Sequence, residues 1–107
     1  MTRGDVVAVV LPGAFGKPRP ALVVQNDAFD ALPSVTVLPI TSEIRDLPPL
    51  RISIEPGPRS GLRRSSQVQI DKIMTVPRTK LGQRIGHLDE STMSSVDLAL
   101  GRFLGIS

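Results

Sequence analysis

The sequence predicts a mainly β protein, a small and partly open β-barrel closed by one C-terminal helix. Three observations predict this. Short runs rich in Val, Ile and Leu recur between residues 5 and 88, separated by stretches dense in Pro and Gly, the pattern of strands joined by turns. Within 50–55 and 65–70, apolar and polar residues alternate, as on strands with one wet face. After residue 88 the period lengthens, and Met93, Val96, Leu100 and Phe103 follow helical spacing with Leu104 beside them. A barrel suits these strands better than a sandwich because the chain is short and its loops are uneven.

Taken in order, "DVVAVVL" (5–11) is a buried strand, too β-branched to favour helix. "PGAFGKP" (12–18) is a loop with two glycines and two prolines. "RPALVVQ" (19–25) is the second strand, and its Pro20 suits a strand start or an edge, where no ladder donor is needed. "NDAFDALP" (26–33) connects through a helical turn to a third strand, "SVTVLPI" (34–40), and "TSEIRDLPP" (41–49) is a loop. In "LRISIE" (50–55), Leu50, Ile52 and Ile54 face inward, and Arg51, Ser53 and Glu55 face outward. "PGPRSGLRR" (56–64) is a turn-rich basic loop. In "SSQVQI" (65–70), Val68 and Ile70 face inward, and Gln67 and Gln69 face outward. "MTV" (74–76) and "RIGHL" (84–88) add short strands around a brief turn at "PRTKLGQ". Asp89 or Ser91 caps the final helix and Gly105 ends it. The sum is five to seven short strands, mostly antiparallel, in a single domain over residues 1–107.

Forty per cent of the residues are apolar, enough for one core, yet bulk is scarce. There is no Trp or Tyr, and Phe15, Phe29 and Phe103 are the only aromatics. The core must be Val, Ile and Leu, and a domain this small gains from burial between copies. The absence of cysteine excludes disulfides and thiolate metal sites. A single His without a His–Glu cluster argues against zinc, so no metal or cofactor is expected. No secretory signal opens the chain and no apolar run is long enough to span a membrane, so a cytoplasmic protein is expected.

Charge is unevenly spread. Residues 51–86 carry a net +6, and the rest of the chain carries −3. Such asymmetry suits either a polyanion such as RNA or a plain solvated basic surface. A second basic feature is local. "KPRP" (17–20) sets Lys17 and Arg19 between two prolines at the mouth of a buried strand. A surface turn needs neither cation, whereas an anion site uses both.

Six segments resemble the MazF/PemK family of toxin endoribonucleases, in the family's order: "RGDVV" (3–7), "KPRPALVVQND" (17–27), "VTVLPITS" (35–42), "SSQVQIDKIMTV" (65–76), "RIGHLDESTM" (84–93) and "VDLALGRFLGI" (96–106). They span nearly the whole chain and are specific as a set. The resemblance implies a homodimer of small SH3-like barrels, a fold shared with CcdB-type toxins. It implies a toxin of a type II toxin–antitoxin system that cuts single-stranded RNA sequence-specifically without a metal, inhibiting translation and growth. In this chemistry the 2′-hydroxyl attacks the adjacent phosphorus and leaves a 2′,3′-cyclic phosphate and a 5′-hydroxyl. A cognate MazE-like antitoxin would lay an extended, acidic segment across the site. Where family members often carry an aromatic residue after the opening Arg-Gly-Asp, this chain has Val6, Val7 and Ala8.

By this resemblance Arg19, Thr41 and Asp71 are the candidate catalytic residues. A guanidinium holds two non-bridging phosphate oxygens at once, and Pro18 and Pro20 restrict the backbone that aims it. Because it stays protonated, Arg19 suits oxyanion stabilisation better than proton abstraction. The Thr41 hydroxyl can donate to the scissile phosphate or orient the 2′-hydroxyl, and Ser42 can share the phosphate. Gln69 and Asp71 share a face if their strand continues. A carboxylate beside an Arg is a weak base, so Asp71 suits an orienting or substrate-contacting role, and the general base stays unassigned. Phe15 either stacks on a base or tucks under its own loop. Lys17, Arg59, Arg63, Arg64 and Ser65 would contact RNA, the arginines through phosphates. Gln69 either reads a base edge or is solvated. His87 is read as a structural or surface residue. The alternative of the same fold is a CcdB-like, gyrase-binding toxin without nuclease activity. It would use the end of the final helix, "FLGIS".

Overall fold

The computed structural model describes residues 1–13 and 15–106. Seven strands form one antiparallel, barrel-like sheet that does not close. They are β1 (Asp5–Val10), β2 (Pro18–Val23), β3 (Ser34–Thr41), β4 (Arg51–Ile54), β5 (Ser66–Gln69), β6 (Met74–Pro77) and β7 (Leu81–His87), followed by α1 (Glu90–Leu104). Their order across the sheet is β4-β5-β3-β2-β1-β7, and β6 pairs with β3. The eight-residue β3 is long enough to serve two partners along one side. Its first half pairs with β6 and its end pairs with β5, while β2 lies along the other side.

The continuous apolar runs of β1, β2 and β3 follow from burial on both faces. Val6, Leu22, Leu38 and Ile40 point into one cluster with Ile54, Val68, Ile70 and the helix residues Met93, Val96 and Leu100. Val7, Val9, Ala21, Val23, Val35 and Val37 point the other way, into a second cluster closed by Val76. Small β-branched residues on both faces allow two packed layers around three central strands.

The helix begins and ends as its sequence predicts. The Asp89 side chain accepts from the Thr92 amide at 2.8 Å, and Gly105 closes the last turn at φ 75°. Its buried stripe is Met93, Val96, Ala99 and Leu100. Phe103, which follows the same spacing and was expected in the core or in packing between copies, is 45% exposed and lies outside the core cluster. The expected turn at 77–83 is also shorter. Only Arg78–Lys80 turns, and β7 starts at Leu81, where it can pair with Val9 of β1. A larger departure concerns Gln67. It was expected on a wet face and is buried, because residues 43–45 of the β3–β4 loop fold over it.

Candidate active site

Four neighbouring strands build one face. The β2–β3 pairing ends at Ala21 opposite Pro39, and Arg19 and Thr41 each lie two residues beyond that last pair, where both line one groove. Thr41 in turn lies opposite Gln67 of β5, and Gln67 opposite Ser53 of β4. Cross-strand partners share a face. Thr41, Gln67 and Ser53 therefore form one row on one side of the sheet, while the alternate residues Ile40, Val68 and Ile54 go to the core.

A groove of about 960 Å³ lies over this face. Its walls bring together six of the residues singled out from sequence: Arg19, Thr41, Ser42, Arg63, Arg64 and Gln69. The arginines of the basic loop reach it because that loop is pressed against β7. Gly61 has φ +74°, and a Cβ there would meet the Ile85 carbonyl oxygen at 1.7 Å. A Cβ on Gly86 would meet the Ser60 oxygen at 2.1 Å. Glycine at both positions lets the two backbones touch, and the His87 amide donates to the Arg59 carbonyl at 2.8 Å.

The other predicted residues lie at the margins. Lys17 is exposed beside Pro18, which lines the groove, and Ser65 is exposed between the lining residues Arg64 and Ser66. Phe15 is 98% exposed with φ 52°, so it does not tuck under its loop and presents a free ring at the loop tip. Arg59 lines an adjoining cleft with Arg84 and His87. The expectation that Gln69 and Asp71 share a strand face does not hold. β5 ends at Gln69, and Ile70–Lys72 turns as a single 3-10 helix that buries Ile70 and leaves Asp71 exposed, outside the groove walls.

Glu43 was missed by the sequence reading, and it lines the groove. Its backbone amide donates to Thr41 Oγ1 at 3.1 Å, which occupies an acceptor position of that hydroxyl and leaves its proton free to donate. Its carboxylate accepts from Arg45 Nη2 at 2.6 Å and Nε at 3.2 Å, both on Oε1. Those bonds hold the Glu43 carboxyl below the usual carboxylate range. Its position directly after "PITS" was the one available signal. Chemically, the groove offers three guanidiniums and the hydroxyls of Thr41 and Ser42 to an anion, with one carboxylate among them, while the Ser66 hydroxyl donates to the Arg64 carbonyl at 2.9 Å.

Behind the adjoining cleft sits a buried carboxylate, Asp5. It accepts from the Thr2 amide at 2.9 Å and from Arg84 Nε at 2.9 Å, and His87 Nδ1 lies 2.8 Å from its Oδ1. Burial alone would raise its pKa, but these three partners outweigh burial and bring it down to about 2. His87 is thus a partner of a buried structural acid, as its sequence context suggested. Because the folded pKa lies below the ordinary 3.8, Asp5 stabilises the fold above pH 4 by about 2 kcal/mol, and this contribution is lost as pH falls toward 2. Asp5→Asn should therefore lower stability in urea titrations at pH 7, and the gap to the wild type should narrow between pH 4 and pH 2.

Among the described residues no group of three or more His, Asp or Glu side chains could hold a metal ion, and no helix is long and apolar enough to cross a membrane. The sequence and the fold have known counterparts. The chain is 51% identical to the probable endoribonuclease MazF of Mycolicibacterium smegmatis, over all of this chain and 99% of that protein. It is 35% identical to endoribonuclease EndoA of Bacillus subtilis, over 92% of this chain and 89% of that one. A solved mycobacterial endoribonuclease in complex with its cognate antitoxin superposes with a TM-score of 0.85 at 26% identity, covering all of this chain and 97% of that one. The model of the PemK-like, MazF-like toxins matches residues 2–104, and with a half-identical relative spanning its whole length the chain belongs to this family of type II toxin–antitoxin toxins.

Proposed function

We propose that the groove binds single-stranded RNA and that the protein cleaves it sequence-specifically by transesterification. The single observation that carries this is the convergence of Arg19 and Thr41 with Arg63 and Arg64 on one basic groove. Family membership and the endoribonuclease relatives support the enzyme class. In the proposed step the 2′-oxygen bonds to the adjacent phosphorus and loses its proton. The bond from phosphorus to the 5′-oxygen breaks, and that oxygen leaves protonated as a 5′-hydroxyl. Negative charge builds on the non-bridging oxygens. Arg19 holds those oxygens, and Thr41 and Ser42 donate to them.

Around this centre, Arg63, Arg64 and Arg59 neutralise flanking phosphates, and Lys17 and Ser65 contact the strand at the groove margins. Gln69 reads a base edge, and the free ring of Phe15 stacks on a base. Asp71, on its exposed turn, is assigned substrate contact rather than proton transfer. The protein acts as a homodimer in the cytoplasm, inhibits translation and growth, and is neutralised by a MazE-like antitoxin whose acidic segment competes for the cationic groove. The relatives favour this over gyrase binding by the same barrel.

The test is cleavage of a mixed-sequence single-stranded RNA in excess EDTA, with the product ends identified. Cyclic phosphate and 5′-hydroxyl ends are expected. Cutting that requires an added divalent cation, or that leaves 3′-hydroxyl ends, would overturn the proposed chemistry.

A further inference from the structure

The most constrained polar side chain near the groove is one that does not line it. Gln67 is 6% exposed, and all of its hydrogen bonds go to the segment that follows Thr41 and to Arg51. Its Oε1 accepts from the Arg45 amide at 3.1 Å, and its Nε2 donates to the Arg45 carbonyl at 3.1 Å. One side-chain amide thus grips both polar groups of a single backbone residue, as a strand neighbour would. Arg51 completes the grip. Its Nη1 donates to Gln67 Oε1 at 2.9 Å and to the Glu43 carbonyl at 2.9 Å.

Three facts tie this arrangement to the site. Gln67 lies directly opposite Thr41 in the β3–β5 pairing, on the same face. The gripped residues, Glu43 and Arg45, follow Thr41 and Ser42 within four positions, too short a span to absorb a displacement at its far end. The Glu43 amide, on the same residue as one gripped carbonyl, donates to Thr41 Oγ1 at 3.1 Å and so sets the direction of that hydroxyl. A loop of polar residues at the end of a strand would otherwise sample several conformations, and its ordering is a cost that the buried amide offsets once, in folding.

We propose that Gln67 and Arg51 are positioning residues for RNA cleavage: a buried clamp on residues 43–45 that holds the Thr41–Ser42 hydroxyls in their reactive geometry without touching the substrate. The proposal rests on the reading of the groove as the RNA-cleaving site. A clamp of this kind contributes to the chemical step and little to binding, because misplacement of a reacting group by about 1 Å costs on the order of a hundredfold in rate.

The experiment compares wild type with Gln67→Leu, Gln67→Glu and Arg51→Met, using steady-state cleavage of a fluorogenic RNA and hydrogen exchange of the Arg45 amide. Gln67→Leu keeps the bulk and removes the grip. Its kcat should fall about 10- to 100-fold with KM within about threefold of wild type. The Arg45 amide should exchange faster while the β3–β5 ladder stays protected. Gln67→Glu keeps the acceptor for the Arg45 amide and for Arg51 but cannot donate to the Arg45 carbonyl, so its kcat should fall between the two. Arg51→Met should lower kcat by about tenfold and leave the salt dependence of RNA binding unchanged, since Arg51 neutralises no phosphate. Should Gln67→Leu fail to fold, Arg51→Met decides, because Arg51 lies at the surface of an outer strand. A folded variant whose kcat stays within about twofold of wild type, or whose KM rises while kcat holds, overturns the clamp. A wild type that cuts no RNA is a different result: it overturns the reading of the groove, and the clamp with it.

Discussion

Arg19→Ala is expected to lower the rate of RNA cleavage by about a thousandfold or more while leaving the fold intact. The size follows from the chemistry. The transition state gathers charge on two non-bridging oxygens, and Arg19 is the guanidinium that lines the groove together with Thr41. The side chain is exposed and belongs to neither core cluster, so its removal should not move the melting temperature. RNA affinity should fall only modestly. The loss of one phosphate contact reduces the salt slope of binding by about 0.7, because Arg63 and Arg64 still supply counter-charge. Arg19→Lys separates charge from geometry: an ammonium keeps the attraction but not the paired donors, so its rate should stay far below wild type. Cleavage by Arg19→Ala within about tenfold of wild type would remove Arg19 from the centre of the site.

The second large effect is expected for Thr41→Val, which keeps the shape of the side chain and removes the hydroxyl. A fall of about a hundredfold in kcat, with little change in KM, is the expected loss of one preorganised donor to the developing charge. The Glu43 amide also loses its acceptor, but that amide sits on an exposed loop where water can replace it. Single-turnover cleavage at saturating RNA separates the chemical step from binding. An unchanged single-turnover rate would assign the hydroxyl to the turn alone, as the cap that a Thr in this position commonly forms.

Much of this site was legible before any coordinates. "KPRP", "PITS" and "PRSGLRR" were each singled out from sequence, and residues of all three line one groove. The residues that failed did so for one reason: their surroundings are set by chain segments far away. Gln67 sits in a clean alternation that reads as solvated, and nothing in "SSQVQI" discloses that a loop more than twenty residues earlier will fold over it. Asp71 was placed by extending a strand that ends two residues sooner, because Ile70 is needed in the core and the chain turns to bury it.

The sequence by itself determined the element types, the helix caps and the burial of the three central strands. These depend on neighbours in the chain: β-branched runs on both faces, an Asp three residues before its amide partner, a Gly at the left-handed turn. It also carried the family, through six segments in order. Which polar residues line the groove and which are buried beneath the β3–β4 loop is set by the tertiary structure alone. That choice depends on register and on loop crossings, and strand register is selected by packing over the whole sheet rather than by any local preference.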